Sequence, residues 1–202
     1  MKRSQRVCGR RTQTAEISMR WIFAGERKMA MDNIYLTGFM GTGKSTIAGL
    51  LAKELGILCM DLDAQLEREQ KKKISELFDA YGEAYFRELE TALLKRLELR
   101  ERLVVSCGGG VVLREENIAS MRRGGKIVLL TAEPETVWAR VRGRQSRPLL
   151  RGCQGAFDIE KLMEQRRARY EAAADVSIKT DGKTPRELCG EILAWACGGK
   201  QM

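Results

Sequence analysis

Residues 38–45 read Gly38-Phe39-Met40-Gly41-Thr42-Gly43-Lys44-Ser45, a complete G-x-x-x-x-G-K-S pattern. It constrains the fold because it works only at one place, the turn between a strand and the helix that follows. The backbone must curl until several N–H groups converge on phosphate oxygens, and side chains at the glycine positions would obstruct that approach. The lysine then meets the outer phosphates and the Ser45 hydroxyl meets a magnesium ion. The flanks supply the required order. Ile34-Tyr35-Leu36-Thr37 is a short run of strand formers, and apolar residues recur at Ile47, Leu50, Leu51 and Leu55, the spacing of one helix face. The loop therefore aims its amides from a helix N-terminus, where the helix dipole favours an anion.

The rest of the chain decides what surrounds that loop. With 202 residues, 44% hydrophobic and 31% charged, it is long enough for one sizeable core. No apolar stretch approaches the ~20 residues needed to cross a bilayer, so a soluble chain without membrane partners is expected. The net charge of +9 suggests nucleic acid until its distribution is seen. Residues 1–31 hold Lys2, Arg3, Arg6, Arg10, Arg11, Arg20, Arg27 and Lys28 against Glu16 and Glu26, a net of +6. The globular part is left with too little excess charge for a nucleic-acid surface. Residues 1–31 show no sustained period and are expected to form a disordered extension, with a single domain over 32–202. A translation start at Met29 or Met31 is favoured over a transit peptide or a basic arm. The chain has no histidine, and its six cysteines form no C-x-x-C pair, which excludes zinc sites and histidine catalysis. Reduced cysteines in a cytoplasmic protein fit this usage.

Further strands are predicted at 57–63, 103–107, 126–131 and 176–178. Helical patterns lie between them, at 65–73, from Glu83 to about Arg102, after Pro134, over 158–171 and after Pro185. Thr184-Pro185-Arg186-Glu187 is a capping box with proline at the first helical position. The alternation implies an α/β fold with a five-stranded parallel sheet flanked by helices. Strand 57–63 ends in Asp61 and Asp63, alternate residues that share one face and point into the crevice at the carboxyl edge of the sheet. A polar strand exit or helix N-cap is the competing account. Ser106 stands where many phosphate-loop enzymes carry a magnesium-supporting aspartate, which leaves Asp61 as the nearest carboxylate for that task. Gly108-Gly109-Gly110 suits close approach of a ligand better than a simple turn. Arg140, Arg142, Arg144, Arg147 and Arg151, with no acidic residue from Val137 through Phe157, read as a mobile lid over about 142–156 that an anionic nucleotide neutralises; a basic surface loop is the alternative.

From about Asp32 to Trp195 the chain resembles the shikimate kinases. The resemblance rests on residues 38–46, Asp61-Leu62-Asp63, Gly82-Glu83 followed by Phe86-Arg87-Glu88-Leu89-Glu90, Gly108-Gly109-Gly110, Arg147-Pro148-Leu149-Leu150, and Arg166 four before Tyr170. It implies a P-loop kinase fold and transfer of the γ-phosphoryl group of ATP to the 3-hydroxyl of shikimate, with Mg²⁺ as cofactor. By the same resemblance Gly41, Thr42, Gly43, Lys44, Ser45, Thr46, Arg140, Arg147 and Pro185 bind ATP. Asp63, Arg87, Gly109 and Arg166 bind shikimate. Ser45 and Asp61 serve the metal, and Asp63, Lys44 and Arg147 are catalytic, Asp63 as base. Glu90 is implied to orient Arg87. A monomer is expected. A gluconate kinase shares the loop and lid without the combination of Asp63, Arg87, the triple glycine and Arg166. A guanine-nucleotide switch would carry an N-K-x-D element, which is absent.

Overall fold

The computed structural model describes residues 32–142, 153 and 155–198. Five parallel strands are arranged β2-β3-β1-β4-β5: β1 (Asn33–Thr37), β2 (Leu58–Asp61), β3 (Leu103–Ser106), β4 (Gly125–Thr131) and β5 (Val176–Lys179). The helices are α1 (Lys44–Leu55), α2 (Leu62–Gln70), α3 (Ile74–Leu97), α4 (Glu115–Gly124), α5 (Pro134–Val141), α6 (Ala156–Ala173) and α7 (Pro185–Gly198), with a 3₁₀ turn at Val111–Leu113.

Every residue of β1 and β3 is buried, as a parallel strand covered on both faces requires. Successive side chains divide between the two faces. Tyr35, Val105, Ile127 and Leu129 pack against α2, α3, α4 and α6 through Leu62, Leu94, Met121 and Ala173. Ile34, Leu36, Val104 and Val128 pack against α1 and α7 through Ile47, Leu51, Leu188 and Ile192. A smaller cluster of Phe39, Met40, Val137, Val141 and Ile159 seats the glycine-rich loop on α5 and α6. Buried Asn33 fastens the start of β1, accepting from Leu103 N at 3.0 Å and donating to Arg100 O at 2.7 Å.

Three expectations change. The strand predicted at 57–63 ends at Asp61, whose side chain caps α2 by accepting from Ala64 N at 3.2 Å. Asp63 thus sits in the first helical turn, not on an extended strand. The helix expected from Glu83 begins at Ile74 and bends at Gly82, where φ is 80° and ψ 171°. Leu50, placed with Ile47 and Leu51 on one apolar helix face, is 38% exposed while those two are buried. Helix α4 was not anticipated, because Asn117 and Ser120 on its buried side interrupt the apolar period.

The expected extension over 1–31, most of the lid at about 142–156, and Arg144, Arg147, Pro148 and Arg151 lie outside the described residues. Among the described residues, no helix is long and apolar enough to cross a membrane.

Candidate active site

At the end of β1 the chain turns through Gly38 (φ 131°), Gly41 (φ 82°) and Gly43 (φ 93°), conformations that a side chain disfavours. A Cβ at Gly38 would stand 2.3 Å from the Leu130 carbonyl oxygen, so the loop lies flat against β4. Thr42 Oγ1 donates to Phe39 O at 2.8 Å and braces the turn. Lys44, the first residue of α1, folds back over the loop, its Nζ donating to Gly38 O at 2.8 Å and Phe39 O at 2.9 Å. That lysine is positioned above the curl of amides it shares with any bound phosphate. Arg140 reaches in from α5 and donates to Gly41 O at 3.1 Å and Thr180 Oγ1 at 3.3 Å. Pro185 opens α7 beside it. The predicted capping box is formed there: Glu187 accepts from Thr184 N at 2.7 Å and Thr184 Oγ1 accepts from Glu187 N at 3.3 Å.

Ser45, in the first turn of α1, donates to Asp61 Oδ2 at 2.8 Å and lies 3.1 Å from Ser106 Oγ. Two hydroxyls and one carboxylate, all hard oxygen donors, meet at the carboxyl edge of the sheet. Mg²⁺ keeps several waters and takes one or two protein oxygens besides phosphate, so this small donor set fits it. Among the described residues no cluster of three or more His, Cys, Asp or Glu side chains could hold a metal alone.

The other end of the cleft is assembled from α2, α3, the loop after β3, and α6. A Cβ at Gly108 would fall 2.7 Å from Asp63 Oδ1, and one at Gly110 would fall 2.2 Å from Arg87 Nη2. At two of the three consecutive glycines a side chain would have to displace Asp63 or Arg87, which lie against that backbone. Arg87 donates to Glu83 Oε1 at 2.9 Å and to Glu90 Oε2 at 2.9 Å. The Glu90 side chain is 1% exposed, and its second oxygen, Oε1, has no hydrogen-bond partner. Burial pushes the Glu90 carboxyl above its ordinary range, Arg87 opposes that rise, and Asp63 adds to it. Burial works against the charge on Arg87, but Glu90 and Glu83 outweigh it and hold the guanidinium charged. From α6, Arg166 Nη1 donates to Gly109 O at 3.3 Å and the Tyr170 hydroxyl donates to the same oxygen. Burial raises the Tyr170 phenol to about 12.

One cleft of about 1280 Å³ joins both ends. Its walls include Gly41, Thr42, Gly43, Lys44, Ser45, Thr46, Arg140 and Pro185, and also Asp61, Asp63, Arg87, Gly109 and Arg166. All the site residues expected from sequence meet here except Arg147, which lies outside the described residues. Sequence reasoning gave no role to Glu83, Thr180 or Tyr170. The Glu83 pair was legible as an i, i+4 spacing with Arg87, whereas nothing local marks Thr180 or the Tyr170 bond, which join residues far apart in the chain.

The shikimate kinase family model matches residues 40–197. The chain belongs to the shikimate kinase family. The shikimate kinase of Persephonella marina is 44% identical over 163 residues, covering 81% of this chain and 98% of the relative. That of Geobacter metallireducens is 41% identical over 166 residues, covering 82% and 92%. Among solved structures, shikimate kinase from Acinetobacter baumannii in complex with shikimate superposes with a TM-score of 0.80 at 32% identity, covering 85% of this chain and 96% of that one. The Aquifex aeolicus shikimate kinase gives 0.70 at 35% identity, covering 83% and 97%. The chain is accordingly an ATP-dependent kinase that phosphorylates shikimate in aromatic amino-acid biosynthesis.

Proposed function

We propose that the two ends of the cleft divide the work of moving the γ-phosphoryl group of ATP to the 3-hydroxyl of shikimate. The observation that carries this division is that Asp63, Arg87, Gly109 and Arg166 open onto the same cleft as the 41–46 loop.

Backbone amides from Gly41 to Thr46 cradle the phosphates at the α1 N-terminus. Lys44 exchanges its loop carbonyls for phosphate oxygens, which are stronger, charged acceptors. Arg140 and Pro185 flank the adenine. Ser45 would hold Mg²⁺ directly and Asp61 through water; when bound, the ion neutralises charge on the transferring phosphates. Arg87, held in place by Glu83 and Glu90, and Arg166 grip the substrate carboxylate, while backbone at Gly109 and the Asp63 carboxylate take hydroxyls. Asp63 accepts the proton of the attacking hydroxyl. In a loose phosphoryl-transfer transition state that proton leaves late, so Asp63 contributes by orienting the hydroxyl as well as by basicity. Arg147, which lies outside the described residues, is assigned to the transferring phosphates, where its charge would offset the charge that develops.

The enzyme is further proposed to act as a cytoplasmic monomer without nucleic-acid or membrane partners, through a single domain over 32–202. Free Cys107 and Cys189 in the core support a reducing compartment, and the concentration of charge in residues 1–31 supports the exclusion of nucleic acid. Sedimentation at micromolar concentration tests the monomer.

Arg166→Ala tests the division of labour. Losing a charge-assisted contact made in ground and transition states alike raises KM for shikimate roughly 30-fold while leaving KM for ATP unchanged. Equal loss for both substrates would remove Arg166 from the acceptor site.

A further inference from the structure

Three glycines in a row have little intrinsic preference for one peptide orientation, yet each carbonyl of the 108–110 loop is held. Gly108 O accepts from Val111 N at 3.2 Å and Gly110 O from Leu113 N at 3.0 Å, both within the 3₁₀ turn. The middle carbonyl is secured from α6, by the hydroxyl of Tyr170 and by Arg166 Nη1 at 3.3 Å. The two donors are four residues apart on one helix face and converge on one oxygen with two lone pairs. They are unequal partners. Arg166 makes a long contact and lines the cleft, whereas Tyr170 is 5% exposed and its phenol, raised by burial to about 12, stays a donor across the working pH range.

We propose that Tyr170 is a positioning residue for substrate binding: by keeping the Gly109 carbonyl paired, it frees Arg166 to leave that carbonyl for the carboxylate of shikimate. This rests on the assignment of Arg166 to the substrate carboxylate. A carboxylate is a stronger partner for a guanidinium than a neutral carbonyl. Turning toward it is cheap only if the carbonyl left behind does not become an unpaired buried acceptor. With Tyr170 present, Gly109 O retains its bond and the Gly109–Gly110 peptide its orientation. Without the hydroxyl, the same carbonyl competes with the substrate for Arg166. The ring of Tyr170 packs in the core on the α6 side of the sheet, so Tyr170→Phe removes the hydroxyl, both the donor to Gly109 O and the group that Arg166 itself contacts, and keeps the packing.

The test uses calorimetric titration of the full chain. Tyr170→Phe should weaken shikimate binding about tenfold and leave ATP binding within about twofold, ATP affinity serving as the folding control in the same sample. In the Arg166→Ala background, Tyr170→Phe should change the shikimate affinity by less than about twofold, because its effect is routed through the arginine. Unchanged shikimate affinity in Tyr170→Phe overturns the proposal, as does equal weakening toward both ligands, which marks a scaffold role. A full tenfold effect persisting without Arg166 also overturns it. If Arg166→Ala alone leaves shikimate affinity untouched, it is the underlying assignment of Arg166 that fails, whatever Tyr170 does.

Discussion

The phosphate end of the cleft is made largely of backbone from one contiguous stretch, Gly38 to Thr46, whereas the acceptor end collects side chains from α2, α3 and α6 around a second glycine loop. The first end tolerates almost no variation in conformation, since its glycines hold positive φ. Its central parts, the amides, Lys44 and Ser45, arrive together on that one stretch, with Asp61, Ser106 and Arg140 added from other elements. The second end has no such local logic. Arg87 is aimed by Glu83 and Glu90, and Arg166 shares a carbonyl with Tyr170. On the proposed roles, binding a common cosubstrate is thus written into a motif, and choosing the acceptor is written into tertiary packing.

The sharpest way to break this comparison is Asp63→Asn. If the acceptor end acts on the hydroxyl alone, turnover falls about 10³-fold while ATP affinity stays within twofold. Stopped-flow turnover with parallel nucleotide titration measures both. A matching loss of ATP affinity would show that the two ends are not separable.

A pair of glycine variants comes next. Gly110→Ala would set a methyl 2.2 Å from Arg87 Nη2. That guanidinium cannot swing aside without breaking its pairs to Glu83 and Glu90, so KM for shikimate rises about 100-fold with KM for ATP spared. Gly38→Ala would set one 2.3 Å from Leu130 O, against a strand backbone that cannot yield, and should cost ATP affinity and melting temperature together. Steady-state KM values for both substrates, with thermal melts, give the two profiles. Identical profiles would sink the idea of two independent constructions.

These contrasts explain what was legible in the sequence. The strand, loop and helix around Gly38 to Ser45 follow from local pattern, as do β3 and β4, because apolar runs in a parallel sheet are continuous. Helix α4 was hidden because Asn117 and Ser120 face inward, Asn117 accepting from Thr91 Oγ1 at 2.7 Å and donating to Val111 O at 3.0 Å. The amide's partners lie on other elements, so no window of sequence contains the reason for its burial. Asp63 was placed in the right crevice on the wrong element, since a short strand followed at once by a capped helix looks, residue by residue, like a longer strand. The triple glycine lines the cleft as ligand approach requires, and Asp63 and Arg87 also lie close beside Gly108 and Gly110, which no local pattern shows.

Glu90→Gln sharpens the comparison through pH. Burial raises the Glu90 carboxyl above its usual value of 4.5, so ionising it works against the folded state. Its favourable contribution is complete below that value and is lost as pH rises through the raised one. The melting temperature of the native enzyme relative to Glu90→Gln should therefore be greatest near pH 4 and decline toward neutrality. Substrate binding runs the other way. Protonated Glu90 holds Arg87 less firmly, so KM for shikimate rises on acidification in the native enzyme, and the variant shows a KM about tenfold higher at pH 7 with a flatter profile. KM for ATP should not follow this titration, because the phosphate end is built without Glu90. Parallel pH profiles for the two substrates would contradict that independence.

The smallest effect is expected where the two ends touch. Ser45 Oγ donates its only proton to Asp61 Oδ2, so in the 3.1 Å contact with Ser106 it is Ser106 that donates. Ser106 is 2% exposed, and its position at the end of β3, beside Asp61 on β2 in register, fixes the direction of that proton. The bond turns a lone pair of Ser45 and would leave the proposed role of its oxygen as a metal ligand intact. Ser106→Ala should accordingly raise the Mg²⁺ concentration giving half-maximal turnover about threefold, below the usual range for outer-sphere partners of protein-rich metal sites, because Mg²⁺ generally takes most of its ligands from phosphate and water. Shikimate KM should not change. The measurement is a Mg²⁺ titration at saturating ATP and shikimate. A shift of 100-fold would mean that the protein, not the nucleotide, dominates metal capture. A change in shikimate KM instead would mean that the end of β3 transmits strain into the glycine loop that follows it, coupling the two ends through two residues of backbone.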